Sequence, residues 1–205
     1  MTLLQLNTSL FSNAGQSSRL ADRFVAGLKA AGPDLEVVVR DLAREPVPHL
    51  TAERFQAFLA KPEARSAEQQ AIVASSDALI RELQAADVVV IGLPMYNFGV
   101  PSQLKAYFDH VARAGVTFRY TESGPVGLLT GKKAYVFATR GGLYAGTARD
   151  SETAYVRQFL AFVGIADVEF VYAEGLAISD ASKQAALAKA ANAIARLNGA
   201  ERLAA

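Results

Sequence analysis

The chain has no cysteine among its 205 residues. That excludes disulfides, thiolate metal sites, iron–sulfur clusters and a cysteine nucleophile, so redox chemistry here would need a bound cofactor. Histidine occurs only twice, at His49 and His110, and two imidazoles without thiolates make a poor transition-metal site. Asp109 and His110 are adjacent in a helical stretch, where neighbouring side chains diverge, which argues against a Ser-His-Asp triad. His110 reads as a helix-surface or interface residue. An excess of one charge sign is also missing: 21 Lys and Arg against 20 Asp and Glu leave +1, no footprint for nucleic acid or an anionic membrane. No run approaches the ~20 apolar residues of a membrane span, and "MTLLQLNTSL" lacks a basic leader. A soluble, cytoplasmic protein is expected.

What is present is a regular alternation. Apolar runs at Leu3 to Leu6, Leu35 to Val39, Val88 to Leu93, Ala134 to Thr139 and Val168 to Tyr172 are continuous, the pattern of strands covered on both faces. Helical periodicity lies between them: Leu20, Phe24 and Leu28 within 16 to 31; Ile72, Val73, Leu79, Ile80 and Leu83 within 66 to 86, with Ser66 and Gln69 as a capping box. Pro101 opens a third helix through Val111, Gly164 ends a fourth, and an alanine-rich fifth runs from Asp180 to about Leu197. Five strand–helix alternations predict an α/β fold of three layers, a flavodoxin-like five-stranded parallel sheet of order 2-1-3-4-5, with residues 1–205 forming a single domain. The segments 44 to 62 and 115 to 131 are left as long excursions.

In such a sheet the ligand lies outside the carboxyl ends of the strands, where their order reverses. That selects three loops. "NTSLFSNAGQSS" (7 to 18) leads into a helix N-terminus with hydroxyls at Ser9, Ser17 and Ser18, fit for a phosphate, although the serines could equally cap the helix. "PMYNFGVP" (94 to 101) sets two aromatics and an amide in a turn stiffened by two prolines. "TRGG" (139 to 142) has paired glycines that let the backbone approach a ring and can adopt positive φ. "GLLTGKK" (127 to 133) lacks P-loop spacing and reads as a turn, and "RGGLYAG" (140 to 146) lacks the Rossmann spacing. A phosphorylated planar heterocycle satisfies all three loops, and FMN has that shape. Asn97 and backbone amides would then bond its polar ring atoms.

The stretches "PMYNF", "QLKAYFDHVARAGVTFRYTESGPVGLLTGKKA" (103 to 134), "TRGG" and "FVYAEGLA" (170 to 177) resemble the FMN-dependent NADH azoreductases of bacteria, flavodoxin-like quinone reductases. The similarity spans nearly the whole chain. It implies FMN phosphate binding by Ser9, Gly15, Gln16 and Ser17, and ring contacts from Met95, Tyr96, Asn97, Phe98, Thr139, Arg140, Gly141 and Gly142. It implies a homodimer with active sites at the interface, and aromatics Tyr120 and Phe162 near the substrate face of the flavin. The expected activity is two-electron transfer from NADH or NADPH to quinones and azo compounds by ping-pong kinetics. The flavin carries the chemistry, with no protein nucleophile and no metal. The departures Gly99-Val100-Pro101 and Leu143-Tyr144-Ala145-Gly146 bear on substrate preference. The rival readings are a flavodoxin-like electron carrier and an NADPH-dependent flavin reductase.

Overall fold

The computed structural model describes residues 1–204, with side chains described through residue 199. Five parallel strands, β1 (Thr2–Asn7), β2 (Glu36–Asp41), β3 (Val88–Pro94), β6 (Lys133–Thr139) and β7 (Asp167–Ala173), form one sheet ordered β2-β1-β3-β6-β7. Once the two strands of a separate hairpin, β4 (Phe118–Thr121) and β5 (Gly124–Gly127), are set aside, this is the expected 2-1-3-4-5 order. β3 is buried along its whole length, whereas the edge strand β2 has no buried residue. The alternation of β3 sorts its side chains between two layers. Val89, Ile91 and Leu93 pack with Leu83 of α3 (Ala67–Ala85), Phe108 of α4 (Ser102–Val111) and Leu160 of α5 (Ser151–Val163). Val88 and Val90 pack with Phe24 of α1 (Gln16–Ala31) and Ile194 of α6 (Asp180–Ala204). Burial on both faces is why these strands read as continuous apolar runs.

Several local expectations hold in detail. Ser66 and Gln69 form the reciprocal capping box of α3, and Gly164 closes α5 at φ 108°. Pro101 is the residue before α4, one position earlier than expected. The last helix continues past Leu197 to Ala204, because Ala, Glu, Arg and Leu beyond Gly199 are good helix formers.

The excursions are not irregular. The first contains α2 (Ala52–Leu59), capped by Thr51, whose hydroxyl accepts from the Arg54 N–H at 3.3 Å. The second is the β4–β5 hairpin, and Gly127 lies so close to the Val163–Gly164 backbone that a side chain there would collide. His110, expected near the surface, is buried. Its ring sits edge-on to Phe58 at 5.7 Å, because α2, unseen in the sequence, covers that face of α4. No helix among the described residues is long and apolar enough to cross a membrane.

Candidate cofactor crevice

Parallel register brings the strand ends to one rim: Asn7 pairs with Gly92, Pro94 with Thr139, and Thr139 with Ala173. The loops after β1, β3 and β6 therefore emerge side by side. Thr8 ties the first to the sheet, its hydroxyl donating to the Gly92 carbonyl at 2.7 Å.

The first loop ends in a bare helix terminus. Gly15 precedes α1 with no side-chain cap, and the first turn holds no acidic residue, so its N–H groups and positive dipole end are left to an external anion. None of the serines caps the helix. Ser9 is buried, and its hydroxyl accepts from the Phe11 N–H at 3.2 Å and lies 3.4 Å from the Tyr96 hydroxyl. Ser17 and Ser18 are wholly buried, and neither hydroxyl has a hydrogen-bond partner among the described residues. Two orphaned hydroxyls in one turn are costly unless a ligand satisfies them. Two glycines make room here. A Cβ on Gly15 would run into Ser9 Oγ, and one on Gly92 would lie 3.1 Å from the Ser17 carbonyl carbon.

The second loop is a two-residue reverse turn. The Tyr96 N–H donates to the Gly99 carbonyl at 3.1 Å and the Gly99 N–H returns to Tyr96 at 3.0 Å. Asn97 and Phe98 both take positive φ, 51° and 63°. Asparagine tolerates that region; phenylalanine does so only under constraint, and such strain concentrates at functional turns. The constraint is visible: Ser151, the first residue of α5, donates its hydroxyl to the Phe98 carbonyl, and the Met95 N–H bonds the Thr139 carbonyl at 2.9 Å. The Phe98 side chain is left 58% exposed over the crevice rim.

The third loop is held from behind. The N–H groups of Gly175, Leu176 and Ala177 donate to the carbonyls of Gly142, Arg140 and Gly141 at 2.9, 3.1 and 3.0 Å. Neither Gly141 nor Gly142 takes positive φ; Gly146 does, at 75°. The paired glycines are small for a different reason. A Cβ on Gly142 would sit 2.5 Å from the Tyr144 hydroxyl, and one on Gly141 would meet Ala177 at 3.2 Å.

Arg140 turns its side chain away from the rim into a buried carboxylate cluster. Its guanidinium lies 2.7 Å from Asp150, 3.3 Å from Glu152 and 3.3 Å from Glu174, with the Tyr172 ring at 5.1 Å. Burial alone would lower the guanidinium pKa, but the three carboxylates outweigh it and hold the value above normal. Burial pushes the Glu152 carboxyl up to about 7, against the pull of Arg140, and neither of its oxygens has a hydrogen-bond partner. Glu174 also accepts from the N–H groups of Tyr144 and Ala145, both at 2.8 Å. The contribution of Arg140 at the rim is therefore its backbone.

Tyr120 and Phe162 lie elsewhere on the chain. Phe162 is near the far end of α5, eleven residues and so about 16 Å from Ser151 at the rim. Tyr120, 74% exposed on the hairpin, reaches it through Phe118, whose ring is 4.3 Å from Phe162 and 5.4 Å from Tyr120. The sequence reading missed Asp150, Glu152 and Glu174. The first two look like ordinary helix-capping acids, since Asp150 does cap α5; the arginine at a strand end was the signal that they serve a buried cation as well.

This arrangement, an anion cradle and two ring-bearing turns at the switch point of a 2-1-3 parallel sheet, defines a mononucleotide-binding crevice of flavodoxin type. The family described by a flavodoxin-like fold matches residues 1–197, and the chain belongs to it. It is similar to an FMN-dependent NADH:quinone oxidoreductase of Cellvibrio japonicus (strain Ueda107), 56% identical over 188 residues, 92% of this chain and 94% of that one. Among solved structures, an azoreductase from Bacillus anthracis str. Sterne superposes with a TM-score of 0.88 at 28% identity, covering 97% of this chain and 98% of that one. An FMN-dependent NADH-azoreductase from Bacillus anthracis str. Ames Ancestor, in complex with FMN, gives 0.85 at 26% identity, covering 97% and 100%.

Proposed function

We propose that the chain is a cytoplasmic FMN-dependent NAD(P)H oxidoreductase that reduces quinones and azo compounds, working as a homodimer of single-domain protomers spanning residues 1–205. The observation that carries the reading is the uncapped start of α1, where Ser17 and Ser18 bury hydroxyls that nothing among the described residues satisfies. A phosphate monoester supplies the acceptors those hydroxyls and the first-turn N–H groups lack. Ser9, Gly15, Gln16 and Ser17 would hold that phosphate. Met95, Tyr96, Asn97 and Phe98 would wall one edge of the ring, and the backbone of Thr139, Arg140, Gly141 and Gly142 the other.

FMN, when bound, supplies the centre that accepts hydride from a nicotinamide and passes two electrons to an acceptor. The residues around it orient and enclose: Phe98 offers an exposed apolar face, and the rim loops are pinned by Thr8, Ser151 and Glu174. Donor and acceptor use one face in turn, which gives ping-pong kinetics. On its own protomer Phe162 stands too far down α5 to reach the rim, and Tyr120 on the hairpin lies beside it through Phe118, so a substrate-facing role for them requires a second copy of the chain. That requirement, with the exposure of Tyr120 and Val126 on the hairpin, supports the dimer.

The test is to supply FMN to the purified protein, pass it through gel filtration, and follow NADH consumption with menadione or methyl red. Retained yellow colour with acceptor-dependent turnover supports the proposal. Bound flavin without turnover points to a carrier, and loss of flavin during NADPH oxidation to a flavin reductase. Ser17→Ala sharpens the site assignment, because its two expected effects are opposed. The apo variant should be as stable as the wild type or more so, since an unsatisfied hydroxyl is removed, while FMN affinity falls by about tenfold, the scale of one charge-assisted hydrogen bond.

A further inference from the structure

The proposed crevice is bordered by a loop that the recognition stretches do not include. Residues 143 to 146 follow "TRGG", and Tyr144 touches both candidate ring walls. Its ring meets the Phe98 ring edge-on at 5.6 Å, and its hydroxyl lies against Gly142. What fixes this tyrosine is a partly buried carboxylate. Glu174, at the end of β7, accepts the consecutive N–H groups of Tyr144 and Ala145 with one oxygen, and that same oxygen lies 3.3 Å from Arg140 Nη1. Arg140 is held in turn by Asp150 at 2.7 Å and by the Thr153 hydroxyl at 3.1 Å. Two adjacent amides on a single carboxylate oxygen clamp a backbone segment as a rigid unit. The glycine turn also has bonds of its own that do not use this carboxylate: the backbone carbonyls of residues 140 to 142 accept from the N–H groups of 175 to 177.

From this separation we propose that Glu174, backed by Arg140, is a positioning residue for the reaction: it sets the Leu143–Gly146 loop so that Tyr144 and Phe98 together define the opening through which flat aromatic substrates reach the ring. The inference rests on the crevice being the flavin site. Its consequence is a division of labour, with Gly141 and Gly142 serving cofactor retention and Glu174 serving substrate binding. Loss of the carboxylate frees two amides and lets Tyr144 leave Phe98, while the glycine turn stays in place.

The experiment compares wild type, Glu174→Ala and Glu174→Gln as FMN-loaded proteins. For Glu174→Ala the menadione KM should rise about tenfold, with kcat within twofold of wild type and the flavin retained through gel filtration. Glu174→Gln, which keeps an acceptor oxygen in place, should return KM to within about threefold. An unchanged KM in both variants overturns the proposal. So does a joint fall of kcat, flavin content and folding that glutamine does not relieve, which would make the residue a structural prop. Hydrogen exchange on the wild type tests the clamp without a variant: slow exchange at the Tyr144 and Ala145 amides supports it, and exchange as fast as an unbonded loop overturns it. A wild type that binds no FMN would refute the crevice assignment itself, an outcome distinct from the others.

Discussion

Among the described residues two arginines are buried, and they are used in opposite ways. Arg113, after α4, lies over the Phe58 ring at 4.5 Å, donates to Ser76 at 2.8 Å and has one carboxylate, Asp77, at 3.4 Å. Burial dominates there and lowers its pKa. Arg140 is surrounded by three carboxylates, and they more than compensate for the same penalty. The Arg113 side chain fastens α2 and α3 against α4 with an aromatic ring, a hydroxyl and a half-exposed acid. Arg140 sits one residue from the glycine turn in a cluster with surplus negative charge. The first arrangement is fastening; the second also sets a local charge and the position of a loop. The difference teaches that burial alone does not mark a functional arginine. What marks Arg140 is that its partners lead, through Glu174, to the rim.

Neutral replacement should break the comparison most sharply. Arg140→Met leaves the buried Glu152 and the partly buried Asp150 and Glu174 without a cation, and removal of one partner from a buried ionic cluster costs about 3–5 kcal/mol. Arg113→Met leaves Asp77 in partial contact with water and Ser76 still donating to the His110 carbonyl at 2.6 Å. Its cost should be about 1–2 kcal/mol, the worth of one hydrogen bond and a cation–π contact. Urea unfolding at pH 7 measures both, and equal losses would erase the distinction.

This contrast also marks where sequence reading stops. The five strands, their order and the α3 capping box were legible because each depends on local pattern: continuous Val, Ile and Leu in β3, Ser66 three residues before Gln69. The three rim loops followed from topology, and the resemblance supplied individual residues within them. The clusters were not legible, since nothing local relates Arg140 to Glu174 thirty-four positions on; only the β6–β7 pairing of Thr139 with Ala173 brings them together. α2 was missed because three prolines between 46 and 62 and a short apolar pattern read as a loop. With α2 unseen, the burial of His110 could not be inferred. The paired glycines were chosen for close approach to a ring and for positive φ, yet their φ values are ordinary, and Tyr144 and Ala177 are what leave no space for a side chain.

Glu152 sharpens the comparison through pH. Its carboxyl is pushed up to about 7 from an ordinary 4.5, burial being the larger cause. Between those values the folded state binds a proton that the unfolded state has released, so this group's stabilisation is complete below about 4.5 and disappears as pH rises through about 7. Glu152→Gln mimics the protonated form at every pH. The variant should match wild type near pH 4.5 and be more stable at pH 8 by up to about 3 kcal/mol, the equivalent of the shift. Thermal unfolding across pH 4.5 to 8 reads the divergence directly, and parallel curves would mean that Glu152 is ionised throughout.

His110 gives the opposite sign beside the other arginine, with a smaller effect. Burial lowers its pKa, Arg54 from α2 and Arg113 lower it further, and the bond from Nδ1 to the Ala106 carbonyl at 2.9 Å and the nearby Asp109 act against them. With Nδ1 bonded to a carbonyl it carries the proton, which leaves Nε2 as a bare, buried acceptor with no partner. The folded state resists protonation, so stability is retained above the ordinary histidine value of 6.5 and declines as pH falls below it. His110→Phe keeps a ring against Phe58 and has nothing to protonate, so its unfolding temperature should fall less than that of wild type between pH 7.5 and 5. The bond to Ala106 and the charge of Asp109 offset part of the burial penalty, which makes this the weakest of the three effects. An identical acid limb in both proteins would show that α2 does not seal the histidine from water.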